Sequence, residues 1–114
     1  MKIESSAFSS NGKIPEKFTC DGGDVVPPLS FRDVPAGAQS LVLIMDDPDV
    51  PLSLRPDGMW DHWICWNIPP QTASIKEGQD PTGVIGKNMG GKPGYMGPCP
   101  PDREHRYFFK LYAL

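Results

Sequence analysis

The hydrophobic positions of the chain gather into short unbroken runs separated by turn residues, and the runs lack the 3.6-residue spacing of a helix. Leu41-Val42-Leu43-Ile44-Met45 is too short for a helix and is followed by Asp46-Asp47-Pro48, which predicts a strand buried on both faces. Residues 63–68, Trp63-Ile64-Cys65-Trp66-Asn67-Ile68, predict a second central strand, stopped by Pro69-Pro70. Residues 107–114 are rich in aromatic and aliphatic side chains and predict a third, in which Lys110 alone marks an edge or a solvated face. Residues 2–4 and 29–31 are shorter strand candidates. Helical pattern is confined to residues 71–78, enough for one turn. Residues 79–103, rich in glycine and proline, read as a long irregular loop, and such loops in compact domains usually carry function.

Composition narrows the class. Fourteen prolines and twelve glycines among 114 residues are about twice their usual share, without a repeat or linker, so a single loop-rich, mainly β domain over residues 1–114 is expected. Hydrophobic content of 39% is enough to offset ordering entropy and argues against disorder. Fourteen acids face eleven bases scattered singly; with no basic stripe to track a phosphate backbone, nucleic acid is not expected as a partner. The N-terminus lacks the apolar core of a signal peptide, and no run approaches the roughly 20 residues of a membrane span, so a soluble cytoplasmic chain is expected. Cys20, Cys65 and Cys99 show no C-x-x-C spacing, which favours reduced thiols; the alternative is one pair involving Cys20 or Cys99.

The candidate chemistry lies at loop-to-strand junctions. Asp47 and Asp49 straddle Pro48, and because proline restricts itself and its predecessor, the two carboxylates are held in a defined relation. Turn capping is the plain alternative for both. His62 lies in Trp60-Asp61-His62-Trp63, and His105 follows Gly97-Pro98-Cys99-Pro100-Pro101 in His105-Arg106-Tyr107. A carbonyl-bonded structural ring is the plain alternative for His62, a surface ring for His105. Arg106 is read as architectural, since its planar fork suits bidentate pairing, and Trp60 is placed to wall a pocket. No His-x-x-x-His pair fixes a metal shell, and no serine stands beside either histidine for a hydrolytic triad; neither metal nor cofactor is expected. Two imidazoles and two carboxylates suit a small polar ligand, with ring N–H groups donating to phosphate or carboxylate oxygens.

Asp46-Asp47-Pro48-Asp49-Val50-Pro51, the stretch from Trp60 to Pro69, and Gly97-Pro98-Cys99-Pro100-Pro101 running on through His105-Arg106-Tyr107 to Leu114 resemble the phosphatidylethanolamine-binding protein family, in its bacterial and archaeal Raf-kinase-inhibitor-like branch. Ile14-Pro15, Cys20-Asp21-Gly22, Lys87-Asn88 and Gly94-Tyr95 fit the same pattern. The resemblance implies a β-sandwich around a large antiparallel Greek-key sheet, with few helices and an anion pocket at one end. Carried over, the pocket comprises Asp47, Asp49, Val50, Pro51, Trp60, His62, Pro98, Pro100, His105 and Tyr107. It implies a non-enzymatic regulatory protein that takes a small anionic or zwitterionic phosphate ligand and inhibits serine proteases or protein kinases; a phosphoester hydrolase using the same pocket is the alternative. For protease inhibition, residues 51–58 and 79–103 are the candidate loops, their prolines pre-organising extended backbone, with Leu54, Met59, Met89, Tyr95 and Met96 as apolar residues at the cleavable bond. The chain departs from the family in having Arg103-Glu104 where members carry a glycine two positions before the motif histidine, which implies a charged arm near the pocket mouth. Members also continue past the Leu-Tyr-Ala-Leu strand, so these residues are expected to be the N-terminal part of a longer domain, with C-terminal elements missing. A C-terminal fragment or a homodimer partner is then expected to cover residues 107–114.

Overall fold

The computed structural model describes residues 1–9, 12–99 and 104–114. Two antiparallel sheets pack face to face. The smaller holds β1 (Lys2–Glu4), β2 (Leu29–Arg32) and β5 (Ser74–Ile75) in the order β1-β2-β5, and the larger holds β3 (Leu41–Asp47), β4 (Trp60–Ile68), β6 (Val84–Ile85) and β7 (Phe108–Ala113) in the order β6-β4-β3-β7. β3 and β4 form a hairpin, and β7 returns over a long connection to lie beside β3, as in a Greek key. Among the described residues the helical content is one 3-10 turn, Glu16–Phe18.

The alternation of β3 decides which way the larger sheet faces. Leu41, Leu43 and Met45 are fully buried, whereas Val42 and Ile44 are half-buried, so the strand is covered on one face and not on both as its continuous apolar run predicts. Trp63, Cys65 and Ile68 of β4 join the buried side, and Leu29, Phe31 and Ile75 close the core from the smaller sheet. Full burial of each such side chain contributes about 1.5–3 kcal/mol. Residues 71–78 make no helical turn; the short strand β5 pairs there with β2, because Ile75 has a core position opposite Leu29. The long glycine-proline stretch is less irregular than predicted, since β6 within it extends the sheet beyond β4.

β3 and β7 pair without a slip from Leu41↔Ala113 to Asp46↔Phe108. β3 and β4 do not. Met45 faces Trp63 and Asp46 faces Asp61, so His62 is the extra residue of a β-bulge. A second irregularity between Leu41 and Leu43 falls at Asn67, whose φ of 52° suits the left-handed tolerance of asparagine.

Cys20 and Cys99 are joined in a disulfide with 5.5 Å between their Cα atoms, which corrects the expectation of reduced thiols; Cys65 is free and buried. The two segments are brought together by local geometry. Cys20 N donates to Pro98 O at 3.1 Å, Gly97 N to Asp24 Oδ1 at 3.0 Å and Tyr95 Oη to Phe18 O at 2.7 Å. Gly97 is required at this approach, because a Cβ there would lie 2.5 Å from Phe18 O.

Candidate functional site

The site forms where the ends of β3, β4 and the lead-in to β7 meet. Asp47 is the last residue of β3 and is buried, so it belongs to the strand and not to the loop that its Pro48 neighbour suggests. Its Oδ1 accepts the Asp49 backbone N–H at 2.8 Å, and its Oδ2 lies 2.6 Å from His105 Nδ1. Both readings of Asp47 therefore hold at once: it caps a turn with one oxygen and orients an imidazole with the other.

His62 is buried inside β4, not at its mouth. In a regular strand its neighbour Trp63, which fills the core, would send His62 to the opposite face. The bulge breaks that alternation and leaves consecutive buried residues at 62 and 63. His62 Nδ1 donates to Met96 O at 2.8 Å, while Met96 N donates back to His62 O at 3.0 Å. A carbonyl only accepts, so Nδ1 carries the proton and the neutral ring has its unprotonated nitrogen at Nε2. Burial holds the His62 pKa below its ordinary value of 6.5, against the opposing pull of Met96 O and the charges of Asp47 and Asp61.

His105 is likewise buried, and with Asp47 accepting as a carboxylate its Nδ1 also carries the ring proton. Tyr107 packs against both rings, edge-on to His62 at 5.4 Å and tilted at 6.4 Å from His105. Arg106 takes the architectural role expected of it. Its Nε and Nη2 donate to the Asp49 carboxylate at 2.9 and 2.8 Å, and its backbone N–H donates to Asp49 Oδ2 at 2.7 Å. Asp49 raises the Arg106 pKa through these hydrogen bonds and its charge.

Asp47, His62, His105 and Tyr107 border an open cavity of about 240 Å³. Of the residues expected from the sequence, Asp47, Val50, Trp60, His62, His105 and Tyr107 line it. Asp49 acts behind the wall through Arg106, and Pro51 begins the neighbouring turn. Pro98 borders a broader adjacent groove, and Pro100 and Arg103 lie outside the described residues. Leu54, Met96 and Cys99 complete the lining. Cys99 stands within the Gly97-Pro98-Cys99-Pro100-Pro101 motif, whereas the placement of Leu54 and Met96 depends on distant packing that no local motif marks. The Trp60 Nε1 atom is buried with no acceptor among the described residues.

The cavity brings two imidazoles and one carboxylate together in a largely apolar wall, an arrangement suited to a small polar ligand. Among the described residues no group of three or more His, Cys, Asp or Glu is placed to hold a metal ion, and no helix is long and apolar enough to cross a membrane. Residues 51–58 form successive turns, with Leu54 N and Arg55 N both donating to Pro51 O, and not the extended backbone their prolines suggest. Tyr95 and Met96 are tied by hydrogen bonds to Phe18 and His62, which leaves Leu54 the most exposed of the five apolar residues proposed for a cleavable bond, at 58%.

The family model for phosphatidylethanolamine-binding protein matches residues 4–114. A UPF0098 protein of Chlamydia pneumoniae is 52% identical over 114 residues, covering all of this chain and 76% of that protein. One from Methanothermobacter thermautotrophicus is 47% identical over 120 residues, again covering all of this chain and 76% of the relative. Among solved structures, a putative phosphatidylethanolamine-binding protein homologue from Chlamydia trachomatis superposes with a TM-score of 0.95 at 52% identity, over 98% of this chain and 73% of that one. YbcL of E. coli, described as a member of the mammalian family, superposes with a TM-score of 0.87 at 30% identity, over 99% and 76%.

Proposed function

Since this chain belongs to the phosphatidylethanolamine-binding protein family, we propose that it is a non-enzymatic regulatory module whose cavity binds a phosphate-bearing head group. One observation carries the reading: both buried imidazoles commit Nδ1 to a fixed acceptor, Met96 O for His62 and Asp47 for His105. At His62, acid therefore adds its proton at Nε2 and turns a lone pair into a donor for a phosphate oxygen. Asp47 stands in the same cavity and repels a bare dianion, so a zwitterion that brings its own cation, such as phosphoethanolamine, is the better match.

Titration with phosphoethanolamine, followed by the imidazole ring protons, tests this. Both histidines are expected to shift on binding, more strongly below pH 6.5 than above it; ring signals of His62 and His105 that stay unchanged at saturating ligand would overturn the reading. The alternative is a phosphoester hydrolase that uses the same His/Asp pocket. Turnover of a generic phosphomonoester separates the two.

As a regulator the chain acts on a serine protease or a protein kinase in the cytoplasm, and a panel of both with the intact protein chooses between them. Exposed Leu52 and Leu54 in the turns of residues 51–58 favour a protein target for that loop. Exposed Phe108, Tyr112 and Leu114 along β7, at the edge of the larger sheet, favour a further polypeptide segment packing there.

A further inference from the structure

We propose that the Cys20–Cys99 disulfide is a redox lock on the head-group cavity: closed, it holds residues 95–99 against His62, and opened by a dithiol reductant it frees them and weakens ligand binding. The bond and its neighbours are structural facts; the consequence for affinity rests on the binding reading above.

Position is the first support. Cys99 lines the cavity, and Met96, three residues before it, supplies the carbonyl that fixes the His62 tautomer. The disulfide thus anchors the segment on which one of the two binding rings depends. Its other ties to residues 18–24 are the hydrogen bonds to Pro98 O, from Gly97 N and from Tyr95 Oη, which are individually modest.

Access is the second. Gly97 and Pro98 are buried but Cys20 and Cys99 are both exposed residues, which places the cross-link at the protein surface, and exposed disulfides are the labile ones. The remaining thiol does not interfere. Cys65 is fully buried and burial pushes its pKa up to about 12, which leaves almost no thiolate at neutral pH to scramble the bond.

The exchange is balanced in itself. A thiolate of the reductant attacks one sulfur of the Cys20–Cys99 bond, the S–S bond breaks, and the other sulfur leaves as a thiolate and takes up a proton. The second thiol of the reductant then displaces the protein from the mixed disulfide. Two electrons and two protons have passed to Cys20 and Cys99, and the reductant is left as its own disulfide.

The lock predicts an asymmetric response. His62 leans on the locked segment, whereas His105 is held by Asp47 and its neighbour Arg106 by Asp49. The intact chain is compared oxidised and after dithiothreitol, with reduction verified by two alkylations in native buffer. Imidazole spectra without ligand are followed by phosphoethanolamine titration. Reduction is expected to move the His62 ring signals, to leave those of His105 nearly in place, and to weaken binding at least fivefold. Cys20→Ser/Cys99→Ser is expected to bind as the reduced chain does, with or without reductant. Unmoved His62 signals in the fully reduced chain, equal affinity in both states, or oxidised-level affinity in the double variant would each overturn the lock. Collapse of both rings to unfolded shifts on reduction would overturn it too, by showing a general staple. If the oxidised chain fails to bind phosphoethanolamine at all, the head-group reading falls, and the His62 response to reduction still decides whether the bond controls the cavity wall.

Discussion

His62 and His105 reach one cavity from β4 and from the lead-in to β7, the strands that flank β3, and different physics holds each. His105 precedes a strand that pairs with β3 in unbroken register, and carboxylates hold it and its neighbour: Asp47 on its own ring and Asp49 on the adjacent Arg106. His62 sits in a bulge and leans on a neutral carbonyl from a loop. Charge orders the first side. Local irregularity and a covalent tie order the second, where burial outweighs the nearby charges and holds the imidazole pKa below its ordinary value. The two rings of the candidate site are thus held by different means, one by electrostatics and the other by local packing.

The sharpest way to break this contrast is to unpair the charged side. The His105–Asp47 hydrogen bond is almost wholly buried, and taking the acceptor from a buried donor of this kind costs about 1–3 kcal/mol. Asp47→Ala is expected to lose stability on that scale in urea unfolding. Adding His105→Ala is expected to recover part of the loss, because no buried donor then lacks this acceptor; strict additivity would show that the two do not act as a pair.

Ligand binding is the next largest effect. His62→Ala and His105→Ala are each expected to weaken phosphoethanolamine about tenfold, equivalent to about 1.4 kcal/mol, as measured by calorimetry near pH 6. Equal affinity in either variant and the parent would remove that ring from the site.

The pH dependence sharpens the His62 side. Its folded pKa is lowered from 6.5, so as pH falls the unfolded chain takes up the proton first. The His62 contribution to stability is therefore complete above about pH 6.5 and is lost as pH drops below it towards the folded value. His62→Phe is expected to flatten this acid slope in the denaturation midpoint. Ligand binding runs the opposite way and strengthens over the same window, so phosphoethanolamine is expected to protect most where the free protein weakens.

The smallest effect belongs to Arg106, whose guanidinium is exposed. Arg106→Lys keeps the charge and loses the fork. It is expected to leave the unfolding midpoint within measurement error while shifting the His105 ring signals, since Asp49 then holds the neighbouring backbone less firmly. A His105 spectrum identical to the parent's would reduce Arg106–Asp49 to a surface ion pair.

The strands that build the site were legible because their information is local. The run at residues 41–45, the tryptophan-rich run at 63–68 and the aromatic run near the end each became β3, β4 or β7 within a few residues. Asp47, His62 and His105 were legible as site residues through motif and resemblance, and the fork of Arg106 announced its pairing. Their placement was less so. Asp47 closes β3 and His62 lies inside β4, because pairing across β3 extends both elements past the apolar runs that mark them. Burial of β3 on one face only was misread for a related reason, since an apolar run reports hydrophobicity and not which side finds a partner.

By itself the sequence determined a mainly β, proline-punctuated domain and the chemical groups available to its pocket, because strand propensity, turn chemistry and side-chain type are properties of residues and their near neighbours. Tertiary structure decided the rest. Whether His62 faces the cavity depends on one extra residue in β4 relative to β3, which is a property of two strands together. Whether Cys20 and Cys99 bond depends on bringing together positions 79 residues apart, and spacing alone left their partners open. Whether Met96 fixes an imidazole depends on a loop that the disulfide and buried Gly97 press against residues 18–24. Each is a relation between segments distant in the chain, set by which packing buries the core while leaving few polar groups unpaired.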